Sequence, residues 1–218
     1  MSEVEAIAGP RRKAPEPVDL PRLVGAEGWA RLAPAIRRRF ARDHAGAPVV
    51  YRGRMDFRRS AVGFVFAIAA LALRGPLPLR RGADRPVEVR VSEDGRGGVV
   101  WARRIAFCEG GPARCIQSTK RMGGDGTLLE CARGGLGMVL DVHERAGALV
   151  FASRRYFLDC WGLRLPIPRL LDPGDCTVTH SEEGPGRFRF TLEMRHRLWG
   201  RTFFQTGVFV DPEGDPEG

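Results

Sequence analysis

The stretch Arg187-Phe-Arg-Phe-Thr-Leu-Glu-Met194 determines the fold class of this chain. Its apolar residues alternate with polar ones, and this period of two is typical of a strand with one buried face. Gly200 and Arg201 then turn the chain toward a second strand-like stretch, residues 202–210. A turn this short between two strands predicts an antiparallel pair.

The same alternation recurs through most of the chain after residue 85. Short glycine-rich joints separate the alternating stretches, whereas parallel strands need crossover connections of a dozen or more residues. We count eight or nine strands, and we predict one antiparallel meander that curls into a half-barrel-like sheet. The clearest alternating stretches are 49–57, 87–91, 100–107, 136–142, 151–157, 187–195 and 202–210.

Helical patterns are confined to the first third of the chain. Apolar residues recur at helical spacing within residues 21–42, and Pro34 starts a new turn or a kink there. The run from Ala61 to Leu73 is apolar on most sides, which predicts a helix enclosed by other structure or in contact with a membrane surface. The predicted fold is therefore α+β, with the sheet packed around this helix. The side chains expected to be buried against the sheet are Phe64, Phe66, Ile68 and Leu71.

The two ends of the chain differ in composition from the rest. We expect residues 1–20, rich in proline and mixed charges, to form a flexible arm, and residues 211–218 to form an acidic disordered tail. A single α+β domain over 21–210 fits the length of 218 residues. The longest apolar run is shorter than the roughly 20 residues of a membrane-spanning helix. The acidic start also differs from a secretory signal, so we expect a cytoplasmic protein.

The chain is strongly basic, with a formal net charge of +9. Its only lysines are Lys13 and Lys120, so the basic residues are almost all arginines. This charge favours weak, salt-sensitive contact with anionic lipid surfaces or polyanions. A GC-rich genome is the simpler explanation for the arginine excess. The acidic tail and the absence of an RNA-recognition or cold-shock motif argue against a specific nucleic-acid partner.

Metal, disulfide and nucleotide sites find little support in the sequence. The five cysteines are odd in number and include no Cys-x-x-Cys pair, so we expect free thiols. The glycine clusters at 123–126 and 134–137 lack the spacing of phosphate-binding loops and are typical of hairpin turns. The local trio Asp141, His143 and Glu144 is better explained by a solvated strand face. We therefore predict no metal and no cofactor.

Two arginines stand out because they share strand faces with aromatic residues. Arg103 shares the face of Trp101, and Arg155 shares the face of Phe157. A charge among aromatic residues is paired, lies at a sheet edge, or faces a ligand cavity. The simpler alternatives to a ligand site are a structural ion pair with Glu130 or Asp159, or a different assignment of the strand faces.

The most distinctive surface candidate is the stretch Trp161-Gly-Leu-Arg-Leu-Pro-Ile-Pro168. Its two prolines lack backbone donors, so it is not a central strand. We expect either a rigid loop that closes one end of the sheet or an apolar rim at the mouth of a pocket. Trp161, Leu163 and Leu165 are the candidate ligand contacts.

Six stretches of the chain, taken in order, carry a family resemblance. They are Trp29–Arg37, Tyr51–Met55, Trp101–Arg104, Trp161–Pro168, Gly186–Phe190 and Leu198–Arg201. Their order and spacing resemble bacterial proteins of the Domain of Unknown Function 4166 family over about residues 21–210. The resemblance implies no activity and no catalytic residues. Family members occur alone or behind a nucleotide-binding oxidoreductase domain that resembles saccharopine dehydrogenase.

The leading functional hypothesis is a non-catalytic domain that binds a hydrophobic or amphipathic small molecule within the curved sheet, such as a lipid-like acid held by arginine. The alternative is an accessory domain that docks on another protein, for which the resemblance suggests a nucleotide-dependent oxidoreductase. An enzyme ranks third. A ligand site of ordinary size needs a cleft of roughly 300 Å³ or more, whereas a docking domain needs an exposed apolar patch.

Overall fold

Eleven strands form one antiparallel sheet in the computed structural model, which describes residues 16–42, 46–73, 75, 77–107, 111–160 and 163–212. The strands are β1 (Val49–Arg59), β2 (Gly82–Glu93), β3 (Val99–Ile105), β4 (Arg114–Met122), β5 (Leu128–Ala132), β6 (Leu136–Arg145), β7 (Ala148–Cys160), β8 (Leu163–Pro166), β9 (Asp175–Glu182), β10 (Arg187–His196) and β11 (Gly200–Val210). Strands that follow each other along the chain are paired, including β1 and β2, which are separated by a helix; the exception is β9, which pairs with β7 instead of β8.

Strand β7 closes the sheet into a barrel because it pairs with β6 along one edge and with β9 along the other. Ten strands form the closed wall in the order β6-β5-β4-β3-β2-β1-β11-β10-β9-β7. The short strand β8 continues the second edge of β7 beyond β9 and lies outside the closed ring. Closure removes the exposed edges of an open sheet. The prediction of a mostly antiparallel sheet is confirmed, whereas the half-barrel of eight or nine strands is only approximately right.

Four strands, β4, β5, β8 and β9, lie outside the clearest alternating stretches, and β5 and β9 show why a strand can lack a clear alternation. In β5 four of five residues are buried, since Leu129 packs outside the barrel against Val139 and Phe157. In β9 the inward residues include His180, so the buried face is not uniformly apolar. A period of two in hydrophobicity requires one apolar and one polar face, and neither strand meets that condition.

Three short helices close one end of the barrel, here called the α3 end. They are α1 (Leu20–Val24), α2 (Ala26–Arg31) and α3 (Pro34–Phe40), in place of one kinked helix. Ile36 and Phe40 lie four residues apart on α3, so they share a helix face, and both are buried. The amide of Ala33 donates to the carbonyl of Gly147 in the β6–β7 turn at 2.9 Å, which holds α3 against the barrel.

Helix α4 (Ala61–Ala72) lies at the opposite end, here called the α4 end. Ser60 caps it by accepting a hydrogen bond from the amide of Gly63 at 3.0 Å. The residues of α4 that are buried are Gly63, Ala67 and Ala70. A Cβ at Gly63 would collide with the carbonyl of Thr202, so glycine is what allows the helix to approach β11 this closely.

The prediction that the large side chains of α4 are buried inside the sheet is wrong. Phe64, Ile68 and Leu71 are 39%, 51% and 47% exposed, and Phe66 is only half-buried. The helix covers the end of a barrel that is already closed, and it does so with its small residues. Its large apolar face therefore points away from the protein.

Parts of the predicted flexible ends are ordered. The amide of Val18 donates to the carbonyl of Gly97 at 3.2 Å, and Asp19 caps α1. At the other end of the domain, the amide of Asp211 donates to the carbonyl of Gly186 at 2.8 Å. Residues 1–15 and 213–218, which include most of the predicted arm and tail, lie outside the described residues.

Candidate functional site: a charged cluster inside the barrel

The interior of the barrel contains a narrow cavity of about 60 Å³. Most of its wall is apolar and aromatic, with contributions from Tyr51, Phe188 and Phe209. Polar and charged side chains converge on one part of the wall. These are Trp101, Arg103, Ser118, Lys120, Glu130 and His180.

Strand β3 directs Trp101 and Arg103 into this cavity. The two residues are separated by one position, so the strand places both side chains on its inner face. The Nε of Arg103 and the Nε1 of Trp101 are buried, and neither has a hydrogen-bond partner in the described structure. A buried donor without a partner costs free energy comparable to a lost hydrogen bond. Two such donors in one cavity therefore indicate a place for an acceptor.

Lys120 and Glu130 face each other across β4 and β5. The Lys120 Nζ lies 3.0 Å from Glu130 Oε2, and the Ser118 hydroxyl donates to Glu130 Oε1 at 2.6 Å. Both charged residues are about nine-tenths buried. Burial alone would raise the pKa of Glu130, but Lys120, Ser118 and Arg103 stabilise the ionised form and the net effect lowers it. Glu130 is thus held as a counter-ion.

His180 projects inward from β9 and is enclosed by aromatic rings. Its ring centroid lies 4.9 Å from that of Phe40 and 5.4 Å from that of Phe190. Burial lowers the pKa of His180 well below its ordinary value, and the nearby cations Arg39, Lys120 and Arg103 lower it further. The imidazole is therefore neutral at pH 7, and its buried Nδ1 has no partner in the described structure.

Cys176 and Tyr156 extend the cluster, but neither is ionised at neutral pH. Burial, followed by the charge of Glu130, raises the pKa of Cys176 to about 12. Burial also raises the pKa of Tyr156 well above its usual value, and the Tyr156 hydroxyl donates to the carbonyl of Gly174 at 3.0 Å. The thiol is therefore a poor nucleophile here, since the thiolate is the reactive form.

The charges in the interior do not balance. Arg103 and Lys120 are cations, Glu130 is an anion, and His180 is neutral, so the cluster carries one net positive charge. Burial lowers the pKa of Arg103, which shows the cost of keeping the guanidinium away from water, but Glu130 opposes that shift. An arginine retains its proton in almost any protein environment. The interior is therefore suited to a small anion.

A larger cleft lies at the α3 end, beyond the side chain of Arg39. The cleft has a volume of about 540 Å³ and lies between α3 and the β9–β10 turn. The Arg39 guanidinium stacks over the ring of Phe188 at 3.5 Å, and its Nε lies 3.5 Å from Asp211. Because Phe188 lines the interior cavity and Arg39 lines the cleft, this stacked pair separates the two spaces.

The structure distributes the residues predicted for a ligand site over different surfaces. Trp101 and Arg103 line the cavity. Arg155 is exposed, and Phe157 is buried in the small cluster outside the barrel. The cause is a β-bulge. The register of β6 against β7 shifts between Val139 and Leu140, so Arg154 and Arg155 both face solvent and the inner face passes to Tyr156.

The predicted apolar rim does not line the interior cavity either. Leu163 and Leu165 lie on β8 and are 64% and 45% exposed. The guanidinium of Arg164 lies 5.5 Å from the ring of Phe157, so β8 covers the outer cluster. Trp161 lies outside the described residues.

The sequence pattern indicates Glu130 only as a structural ion-pair partner of an arginine, and it does not mark Lys120 or His180 as site residues. The alternation along β4 could have identified Lys120, because Ile116, Ser118 and Lys120 share the inward face of that strand. A lysine in register with buried residues is rare unless it is paired. No comparable signal marked His180, because Thr179 and Ser181 flank it and Val178 is the one aliphatic residue in the stretch from Thr177 to Glu182.

Other chemical groups are dispersed. Asp141 pairs with Arg154 at 3.3 Å, and Glu144 pairs with Arg31 at 2.8 Å, so both carboxylates form ion pairs with arginines at the surface. No cluster of three or more histidine, cysteine or acidic residues suited to a metal ion occurs among the described residues. The four cysteines that the structure describes are free thiols.

Fold and interior together define a closed antiparallel barrel with a charged pocket inside aromatic walls. The chain belongs to the family described as domain of unknown function DUF4166, whose model matches residues 32–209. No curated protein matches the chain. Among solved structures, Rv2717c from M. tuberculosis is similar at 14% sequence identity, with 83% of this chain and 98% of that chain covered and a TM-score of 0.44. None of the described helices is long and apolar enough to span a bilayer.

Proposed function

We propose that this protein is a non-catalytic carrier or sensor of a small organic acid, whose carboxylate binds inside the barrel. The observation that carries the proposal is the charge imbalance of the interior. Arg103 and Lys120 face one carboxylate, and the buried Nε of Arg103 and Nε1 of Trp101 lack acceptors. A carboxylate offers two oxygens to these donors and neutralises the extra charge.

Low local polarity strengthens this recognition. Water competes poorly inside the barrel, so each charge-assisted hydrogen bond to the ligand is stronger than it would be at the surface. The Lys120 ammonium lies 5.3 Å from the Trp101 ring and 5.1 Å from the Phe151 ring, which fixes its position between Glu130 and the aromatic wall. Lys120 and Arg103 thus provide a preorganised site.

The size of the cavity limits the ligand. A volume of about 60 Å³ is the share of roughly two liquid waters, and it is well below the roughly 300 Å³ of an ordinary ligand pocket. A carboxylate with a short aliphatic chain fits this space. A long-chain, lipid-like acid would have to displace Arg39 from Phe188 and extend into the outer cleft.

Isothermal titration with acetate, butyrate and octanoate tests the proposal at constant ionic strength. Arg103→Leu removes the unpaired donor, and Arg155→Leu is the matched control because that arginine faces solvent. We expect wild type and Arg155→Leu to bind at least one short acid equally, and Arg103→Leu to bind at least tenfold more weakly. Equal binding by all three proteins, or no binding by wild type, would reject the interior site.

Docking on another protein is the second candidate function, with a nucleotide-dependent oxidoreductase as the partner suggested by family resemblance. The observation that favours docking is the exposed apolar face of α4, where Val65 is 64% exposed. Sedimentation velocity of the chain mixed with a purified oxidoreductase of that class tests this role. A complex that Ile68→Glu abolishes and Val210→Glu preserves would support it, and no complex at micromolar concentrations would argue against it.

A further inference from the structure

The large apolar side chains exposed on this protein are concentrated at the α4 end. They come from α4, from β8, from the turn that follows β8 and from the β10–β11 turn. Among the described residues, Val210 is the exception, and it lies at the α3 end. The residues at the α4 end are Phe64, Val65, Ile68, Leu71, Leu163, Leu165, Leu170, Leu171, Leu198 and Trp199.

Aromatic contacts and hydrogen bonds join three of these segments into one surface. The ring of Phe66 on α4 lies 5.8 Å from that of Trp199 in the β10–β11 turn. The His196 ring stacks on Trp199 at 4.1 Å, and its Nε2 lies 3.1 Å from the carbonyl of Arg169, next to Leu170. The apolar side chains thus belong to adjoining turns and one helix, rather than to scattered sites.

Arginines accompany this surface, and acidic residues are absent from its segments. Residues 58–82, 163–171 and 195–201 contain ten arginines and no aspartate or glutamate. Two of these arginines, Arg58 and Arg195, pair with Asp56 and Glu193, which lie just outside these ranges. The segments that carry the exposed apolar side chains therefore have an excess of positive charge.

We propose that the α4 end binds the surface of an anionic lipid bilayer. In this arrangement α4 lies in the plane of the membrane with Val65, Ile68 and Leu71 toward the acyl chains, as an interfacial helix does. The arginines lie at the level of the lipid phosphates, to which guanidinium groups bind strongly. Trp199 is suited to the interface because its ring is apolar and its N–H can donate to headgroups.

Two other occupants fit the surface less well. A second copy of the chain would bring two arginine-rich ends together, and an excess of like charge on both faces is repulsive. A protein partner is favoured by a groove, but Leu170-Leu171 and Leu198-Trp199 lie in turns, where they project from the surface. Projecting apolar side chains bordered by arginines match a fluid, anionic surface.

Vesicle sedimentation tests this inference with the full chain. The probes are vesicles of phosphatidylcholine alone and vesicles containing about 30% phosphatidylglycerol. Ile68→Glu places a charge on the apolar face of α4, and Val210→Glu is the matched control, because the two side chains are 51% and 56% exposed. Ile68→Ser and Val210→Ser repeat the comparison without added charge. Thermal melting confirms that all variants are folded.

We expect wild type to bind anionic vesicles at least tenfold more tightly than neutral ones, and raised salt to weaken this binding. Ile68→Glu and Ile68→Ser should weaken binding at least fivefold, whereas both Val210 variants should bind as wild type does. No binding by wild type, or equal losses at both positions, would overturn the inference. A dimer that only the Ile68 variants dissociate would assign the surface to self-association. Arg103→Leu should bind vesicles normally, which keeps this test independent of the interior site.

Discussion

The Lys120 ammonium and the Glu130 carboxylate form an ion pair at 3.0 Å inside the barrel, where both side chains are about nine-tenths buried. Their positions opposite each other on β4 and β5 determine the contact. Such a pair contributes little to net stability, because desolvation offsets the attraction between the charges. The ion pair instead fixes the position of the Lys120 ammonium. Because the pair is neutral, the charge of Arg103 gives the interior its net positive charge.

Removing the Glu130 carboxylate should strongly destabilise the folded protein. Glu130→Gln would leave Lys120 and Arg103 buried without a counter-ion, and we expect the free energy of unfolding to fall by about 3–5 kcal/mol. Urea titration at neutral pH measures this loss. Glu183→Gln is the control, because that carboxylate pairs with Arg189 in solvent and its loss should change stability little. Similar effects at both positions would contradict the assignment of Glu130 as the interior counter-ion.

Removing Arg103 should have the opposite effect on the ligand-free protein. Arg103→Leu leaves Lys120 and Glu130 as a neutral pair and removes a buried donor that has no acceptor. We expect the free energy of unfolding to stay constant or to rise, by up to about 4 kcal/mol. The same urea titration detects this change. A loss of more than about 1 kcal/mol would show that Arg103 is a structural residue rather than a ligand-binding one.

His180 should make stability depend on pH in the mildly acidic range. Its folded pKa lies well below the ordinary value of 6.5, and the groups facing it include the cations Arg39, Arg103 and Lys120. As the pH falls below 6.5, the unfolded chain takes up the proton first, so the contribution of a neutral His180 to stability is complete above that pH and is lost on acidification.

The size of this pH-dependent loss of stability follows from the uptake of one proton by His180 in the unfolded chain. Between about pH 7 and about pH 5.5, wild type should lose about 1 kcal/mol more of its unfolding free energy than His180→Gln does. Urea titrations at both pH values give the change in unfolding free energy for each protein. Subtracting the change in His180→Gln from that in wild type removes the contribution of groups common to both proteins. Equal changes in the two proteins would mean that His180 titrates normally in the folded state.

Gly63 should tolerate no side chain. Alanine is favoured over glycine within a helix by about 1 kcal/mol, but a Cβ at this position collides with the carbonyl of Thr202. We therefore expect Gly63→Ala to lower the free energy of unfolding by about 1–3 kcal/mol, because α4 must shift away from β11. Gly124→Ala, where nothing lies within 4 Å of the added atom, is the control. A stabilised Gly63→Ala protein would show that α4 is loosely held.

Alternation along single strands predicted the antiparallel sheet well, because each hairpin is a local feature. Closure was not accessible in this way, since it depends on β7 pairing with both β6 and β9. The bulge in β7 was also not predictable from the alternation along the strand. One extra residue turns Arg155 outward and Tyr156 inward, and no local sequence pattern indicates such a shift. The placement of Arg103, on a regular strand, followed from the pattern.

The orientation of α4 shows a different limit. Hydrophobicity around this helix is nearly uniform, because glycine and alanine on one side are opposed by phenylalanine, valine, isoleucine and leucine on the other. Volume decides which side packs, and small residues at 63, 67 and 70 allow the closest approach. Sequence reasoning assumed that the largest side chains are buried, which is the usual preference. In α4 that preference is reversed.

The hydrogen bonds of Val18 to Gly97 and of Asp211 to Gly186 place the first and last described segments of the barrel domain at the α3 end, remote from α4. A cysteine introduced at either of these segments would therefore carry a fluorophore or a surface attachment at the end of the barrel opposite α4. Protein immobilised on a biosensor chip through such a position keeps α4 away from the point of attachment. Two attachment positions distant in sequence thus leave the same face of the molecule available for binding.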